Sequence, residues 1–255
     1  MSEPTVVILA GGKGTRLAPY TTVLPKPLMP VGDMPILEIV LRQLRHYGFR
    51  RVVISVGHLA GLLTAFFGDG SKWGMNISYV TEDKPLGTMG PLRLIQGLDS
   101  PFIVMNGDLL TDFDFGAFYD AHVAAGREAT VAAIVRHVQI SLGVLDFDAG
   151  KRLTGFREKP TTEYAASMGI YAFNPSVLGL IPEHSFYGFD HLMLDMLRHD
   201  RPVHIHPFGG LWLDIGRPDD YAIANDTVIK HRDRFFPGES LLEYAPPVAR
   251  PALRA

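Results

Sequence analysis

The chain has 255 residues, enough to bury a sizeable core within one α/β domain. Hydrophobic residues make up 47% and charged residues 20%, a globular balance rather than a disordered one. A net charge of −3 offers no general field for nucleic acid or anionic membrane, so an anionic ligand must meet cations placed locally. Cysteine is absent, which excludes disulfides, thiolate catalysis and Cys-ligated zinc and agrees with a reducing cytoplasm. The N-terminus carries no signal-peptide pattern, and no segment reaches the ~18 apolar residues of a membrane span, so a cytoplasmic location is expected.

Thr5 to Ala10 reads as a buried strand that breaks into Gly11, Gly12 and Gly14. Lys13 and Arg16 lie among those glycines, and Lys26 is fixed between Pro25 and Pro27. From Ile36 the apolar period changes: Leu37, Val40, Leu41 and Leu44 share one helical face, and Gly48 marks the stop. Arg51–Val56 is predicted as a strand, 59–67 as a helix, 76–80 as a strand and 89–97 as a helix. Residues 101–105 form a buried strand that runs into Asn106, Gly107 and Asp108. Short apolar strands alternating with amphipathic helices argue for a mostly parallel sheet covered on both faces.

The second half is less regular. A helix is predicted over 115–125, a strand over 129–136, and a hairpin from 143–147 and 152–156 around Asp148-Ala149-Gly150. A strand over 169–173, a helix over 190–199, a strand over 204–208 and the run Leu211 to Asp214 follow. Pro218 then opens a helix reaching about residue 235. His204 and His206 share a strand face without metal-ligand spacing and are expected in solvent; Met29, Met34 and Met193 read as packing. With no internal repeat or linker, residues 1–236 are expected to form one domain. Residues 237–255, with Pro246, Pro247 and Pro251, are expected to be a flexible tail.

A strand, a glycine turn and then cations is how a backbone approaches a polyphosphate and offsets its charge, which points to a nucleoside triphosphate (NTP) site. Two familiar phosphate loops do not fit. A Walker A loop needs Lys followed by Ser or Thr, and Lys13 is followed by Gly14; a dinucleotide fingerprint has Leu17 where its third glycine belongs. Arg16 and Lys26 sit on glycine- or proline-fixed backbone, an arrangement that suits function better than packing. Asp108 ends an apolar strand where an open α/β sheet binds ligands, although a helix N-cap would account for Asp108 alone. With Asp214 it makes the hard-oxygen pair that Mg²⁺ needs, phosphate oxygens and water completing the octahedron.

GGKGTRL followed by PKPL resembles the sugar-1-phosphate nucleotidyltransferase family, the nucleotide-sugar pyrophosphorylases. PLGTMG (85–90), NGD (106–108), EKP (158–160) and WLDIG (212–216) continue the resemblance in the family's order, over about nine-tenths of the chain. The pattern is similar above all to mannose-1-phosphate guanylyltransferases and related hexose and heptose 1-phosphate enzymes. It implies an α/β fold: a single-domain, Rossmann-like, mixed but mostly parallel sheet flanked by helices. The NTP part would be about 1–112 and the sugar part about 113–236. Some relatives append a C-terminal β-helix; none is expected here.

The resemblance implies that Arg16 steadies the β- and γ-phosphates, that Lys26 neutralises charge on the α-phosphate, and that Arg16, Lys26 and Asp108 are catalytic. Leu9, Ala10, Gly11, Gly12, Gly14, Thr15, Pro85, Gly87, Thr88 and Gly107 join them around the nucleotide. Glu82 falls beside the base, where its carboxylate could accept from guanine N1–H and N2–H; GTP is therefore favoured, with dTTP, UTP or CTP as alternatives. On the sugar side the resemblance implies Lys159 on the phosphate, Glu158 on hydroxyls, and Gly143 and Gly169 as close-approach backbone. Ser167 stands where many relatives have Asn, which leaves the sugar open. Asp108 and Asp214 would hold Mg²⁺ as cofactor. The expected partners are an NTP and a sugar 1-phosphate, without nucleic acid or membrane, and homo-oligomer formation is left open. Two rivals are weighed. A non-catalytic nucleotide-sugar-binding subunit would show degeneration at Arg16, Lys26, Asp108 or Asp214, and all four are intact. A nicotinamide dehydrogenase would need the missing third glycine.

Overall fold

The computed structural model describes residues 3–237. In chain order the strands and α-helices are β1 (Thr5–Ala10), β2 (Pro30–Val31), β3 (Met34–Pro35), α1 (Ile36–His46), β4 (Arg51–Val56), α2 (Ala60–Phe67), β5 (Asn76–Thr81), β6 (Phe102–Asn106) and β7 (Leu109–Thr111). Then come α3 (Phe115–Ala124), β8 (Ala129–Gln139), β9 (Val144–Phe147), β10 (Leu153–Arg157), β11 (Thr161–Phe173), α4 (Phe189–Arg198), β12 (Val203–Phe208), β13 (Trp212–Asp214), α5 (Pro218–Lys230) and α6 (Arg232–Phe235). A seven-stranded sheet has the order β12-β8-β11-β6-β1-β4-β5. All its pairings are parallel except those of β11, which runs against β6 and β8. This is the mixed, mostly parallel α/β sheet expected from the sequence.

Strand alternation explains why both faces are covered. On β1, Val6 and Ile8 pack with Leu37, Val40, Leu41 and Leu44 of α1, while Val7 turns to the opposite face with Phe102, Met89 and Leu192. A third apolar cluster lies beneath the glycine–proline loop, where Leu17, Met29, Val31 and Met34 meet Ile215, Ala224 and Val228. It anchors the glycine–proline loop onto α5, so that loop is tied to the far end of the described chain. Met29 and Met34 are buried and Met193 packs against the second cluster, as read from the sequence.

Three expectations need correction. The helix expected over 89–97 is only a 3₁₀ turn, Gly90–Leu94. Pro91 follows its first residue, and the N–H groups of Met89 and Gly90 both donate to Tyr187 O, at 2.9 and 3.0 Å, instead of extending a helix. The strand expected at 169–173 begins at Thr161, and β8 runs on to Gln139. Their outer halves are mostly exposed, held by ladder pairing from Ser167↔Ala133 out to Thr161↔Gln139 rather than by a core. His204 and His206 are not solvated surface groups. His206 sits edge-on to Phe113 and Phe118, and His204 Nδ1 is buried without a partner. The predicted tail beyond 237 lies outside the described residues. Among the described residues no β-helix occurs, and no helix is long and apolar enough to cross a membrane.

Candidate functional site

The C-terminal ends of β1, β4, β5 and β6 open onto one edge of the sheet, where α/β folds of this type bind ligands. After β1 the chain turns through Gly14 at φ 61° into a 3₁₀ turn, Thr15–Leu17, and Thr21 Oγ1 secures it by donating to Gly14 O at 2.8 Å. Gly12 faces open space. Lys26 begins a third 3₁₀ turn, Lys26–Leu28, between two prolines that restrict its backbone, and its side chain is only 10% exposed. After β6, Gly107 N–H donates to Leu9 O at 2.9 Å, which sets Asp108 beside the end of β1. Strand β13 pairs antiparallel with β7, Asp214 opposite Leu109, so both aspartates reach the same place.

Lys26 Nζ donates to Asp108 Oδ2 and lies 3.9 Å from Asp214 Oδ1. Arg16 comes in from the loop: a Cβ on Gly216 would lie 3.4 Å from its Nη1 and 3.6 Å from Asp220 Oδ2. Burial raises the Asp214 carboxyl above its ordinary range; Asp108 and Asp220 raise it further, while Lys26 and Arg16 oppose the shift. Asp108 Oδ1 is buried and has no hydrogen-bond partner. An orphaned carboxylate oxygen beside a second carboxylate fits a hard dication. No cluster of three or more His, Cys, Asp or Glu able to hold a metal occurs among the described residues.

The predicted base-side residues also converge. A Cβ on Gly11 would lie 3.2 Å from Glu82 Oε1. Glu82 Oε2 accepts from Leu86 N–H at 2.7 Å, and Oε1 is 3.4 Å from Ser55 Oγ, so the carboxylate shapes the 85–88 loop as well as facing the glycines. Thr88 Oγ1 is engaged by Phe189 N–H at 2.8 Å. Gly87, at φ 80°, could not be another residue, since a Cβ would come within 2.7 Å of Tyr187 O. Leu9, Ala10, Thr15 and Pro85 fall on the same two loops and the strand end between them.

The five sugar-side candidates split into two groups. Ser167 and Gly169 sit in the irregularity where β11 passes from the ladder to the core, next to Asn106. Ser167 Oγ accepts from Gly169 N–H at 3.3 Å. Gly143 and Glu158 lie together at the far end of the β8–β11 ladder, a Cβ on Gly143 falling 3.3 Å from Glu158 Oε2. Lys159 follows at φ 44°. Along the strand, the six steps from Thr161 to Ser167 span about 20 Å. A cavity of about 560 Å³ lined by Arg42, Arg45, His46, Arg50, Lys72 and Trp73, among others, lies at the end of α1 and contains none of the predicted residues.

Sequence reasoning missed Ser55, Asp220 and Arg136, the contact of Asn106 with Gly169, and the role of Trp212. Trp212 Nε1 donates to Met168 O at 2.9 Å, fastening the Asp214 strand to the β11 irregularity, and the Arg136 guanidinium lies 4.8 Å from the Trp212 ring centre. No local pattern signals these contacts. They arise from strand register.

The family described as nucleotidyl transferase matches residues 5–231. A UTP–glucose-1-phosphate uridylyltransferase of Synechocystis is 34% identical over 236 residues, covering 84% of this chain and 61% of that protein. A mannose-1-phosphate guanylyltransferase of Mycobacterium tuberculosis is 30% identical over 232 residues, covering 88% of this chain and 64% of that protein. The chain thus spans a little over three-fifths of the length of these curated relatives. Among solved structures, HddC from Yersinia pseudotuberculosis superposes with a TM-score of 0.67 at 25% identity, over 88% of this chain and 99% of that one. This chain belongs to the nucleotidyl transferase family.

Proposed function

We propose that this chain is a sugar-1-phosphate nucleotidyltransferase: an NTP and a sugar 1-phosphate give a nucleotide-sugar and pyrophosphate. The observation that carries the reading is Lys26, its ammonium set between Asp108 and Asp214 at the mouth of a glycine loop. A phosphate oxygen of the sugar 1-phosphate attacks the α-phosphorus, the bond to the bridging oxygen breaks, and pyrophosphate leaves on the opposite side. No proton need be abstracted from an ionised phosphate, so the protein's work is positioning and charge stabilisation. Lys26 takes the charge developing at the α-phosphate, and Arg16 holds the β- and γ-phosphates. Asp108 and Asp214 would hold Mg²⁺, which when bound neutralises phosphate charge.

The base reading rests on Glu82. Its Oε1 carries one long contact, to Ser55, and keeps acceptor capacity for the two guanine donors. GTP is therefore the favoured nucleotide, UTP and dTTP being the competitors. On the sugar side Ser167 and Gly169 would lie near the reacting phosphate, with Glu158, Lys159 and Gly143 closing over the sugar from the arm. A matrix of GTP, UTP, dTTP and CTP against glucose, mannose and heptose 1-phosphates, read by pyrophosphate release, tests this. Turnover with GTP above the others is expected; release from no pair would overturn the reaction, and a preference for UTP or dTTP would overturn the role of Glu82.

A further inference from the structure

The β9–β10 hairpin is a sheet of its own, outside the seven-stranded one. Its register sorts its side chains by face. Leu153 pairs with Phe147 and Phe156 with Leu145, so these four share one face; Asp146 and Arg157 share the other with Val144 and Gly155. The polar face is satisfied within itself, Arg157 Nη2 donating to Asp146 Oδ1 at 3.2 Å. The apolar face is not. Leu145, Phe147, Leu153 and Phe156 are 57% to 67% exposed, and none of them joins any of the three core clusters. A two-stranded hairpin is marginally stable in water unless its apolar side packs against something.

Size and chemistry favour a second copy of the same face as the cover. Side chains of this kind expose about 150–250 Å² when free, so the face presents roughly 500 Å². That is within the range of the largest apolar patch on a typical monomer, about 300–600 Å², where such patches mark interaction sites. Two copies stacked face to face would bury about 1,000 Å² from these side chains alone, the area a specific interface must clear. A sugar phosphate, hydroxylated and charged, would leave its polar groups unpaired on such a surface. Lys151, Arg152 and Arg157 against Asp146 and Asp148 leave the hairpin far short of the cation cluster that holds a protein to an anionic membrane. The same charges set the orientation. A two-fold axis across the strands keeps the basic tips, Lys151 and Arg152, at opposite ends, whereas an axis along the strands would stack them on each other.

We infer that two copies of this chain associate through the face formed by Leu145, Phe147, Leu153 and Phe156, hairpin on hairpin, about a two-fold axis. The contact braces an arm that no core cluster supports and whose inner end carries Gly143, against which Phe156 lies.

Sedimentation velocity of the wild type at micromolar concentration should give a particle of twice the 28.1 kDa chain mass. Phe147→Lys and Leu153→Lys place a charge on the face at positions already open to water in one copy. Each should weaken association by at least about 30-fold without changing the circular dichroism spectrum. Asp146→Asn, on the opposite face, should stay dimeric. Because the chain has no cysteine, a single Leu145→Cys or Leu153→Cys can form a disulfide only with a second copy. Mild oxidation should cross-link both, and should leave Asp146→Cys uncrosslinked. A wild type that stays monomeric overturns the inference and leaves the face to the chain beyond residue 237 or to another partner. A dimer that survives both lysine substitutions overturns it as well, as does cross-linking through Asp146→Cys equal to that through Leu153→Cys. Should the lysine variants unfold, the cysteine variants decide: a covalent dimer supports the interface and its absence overturns it.

Discussion

Replacing Lys26 by methionine removes one charge and little else. The side chain is 10% exposed and its stem lies among packed groups, so the apolar portion is retained. What is lost is an ammonium bonded to Asp108 and 3.9 Å from an Asp214 oxygen. At that separation a unit pair is worth roughly 4 kcal/mol with an effective dielectric constant of 20. A comparable interaction with charge growing on the α-phosphate is the most Lys26 can supply. Loss of a single preorganised donor elsewhere lowers kcat by about 10²–10³-fold, or about 2.7–4 kcal/mol. The two figures meet, so Lys26→Met should lose ~10²–10³ in kcat at saturating substrates and Mg²⁺. Pyrophosphate release, on protein that still melts cooperatively, is the assay. A kcat within threefold of wild type would refute the reasoning, and a loss confined to KM would make Lys26 a ground-state anchor only.

Asp214→Asn should trade function for stability. The fold raises this carboxyl, so its ionised form is disfavoured; the penalty is absent well below the ordinary value of 3.8 and full above the raised one. The variant should melt above wild type near pH 7.5 without divalent cation, lose that advantage near pH 4, and respond less to added Mg²⁺; a variant stabilised by Mg²⁺ as much as wild type would contradict the metal assignment. His122 works in the other sense. Burial, with Arg127 and His204 nearby, lowers its pKa from 6.5 to about 4. Stability is complete above 6.5 and is lost as pH falls toward 4, by about 2 kcal/mol between pH 8 and pH 5. Over that interval His122→Gln should lose about 4–8 °C less in melting temperature than wild type; parallel curves would refute it. Gly169→Ala should cost about 1–2 kcal/mol for a left-handed residue. It should also raise KM for the sugar phosphate, because φ is 72° and the added Cβ would fall 2.5 Å from Asn106 Nδ2. Unchanged stability would mean that the β11 irregularity relaxes freely.

The parallel half of the fold was legible because its strands are unbroken apolar runs and its loops carry glycine and proline that permit few conformations. Arg16, Lys26, Asp108 and Asp214 were legible for a related reason: each lies in a short motif, the cations on glycine- or proline-bounded turns and the aspartates at or just past strand ends, and the structure draws all four together. The outer ladder was not. Thr161 to Ser167 has no apolar period, and its strand conformation comes from pairing with β8 across more than twenty residues of intervening chain. Residues 89–97 read as a helix because the apolar spacing is right, but their N–H groups are drawn to Tyr187 O. His204 and His206 read as surface groups because nothing in β12 announces that α3 and Phe113 cover them. Arg136 gives no sequence signal at all, since only register brings it over Trp212.

The central claim is that a bond is broken at the α-phosphorus and pyrophosphate leaves intact. GTP labelled separately at the α- and γ-phosphorus, incubated with a sugar 1-phosphate and Mg²⁺, reads this directly. The account predicts α-label in the nucleotide-sugar and γ-label in pyrophosphate, in equal amounts. Label from the γ-position in orthophosphate or on the sugar, or bound nucleotide with no label released, would contradict it.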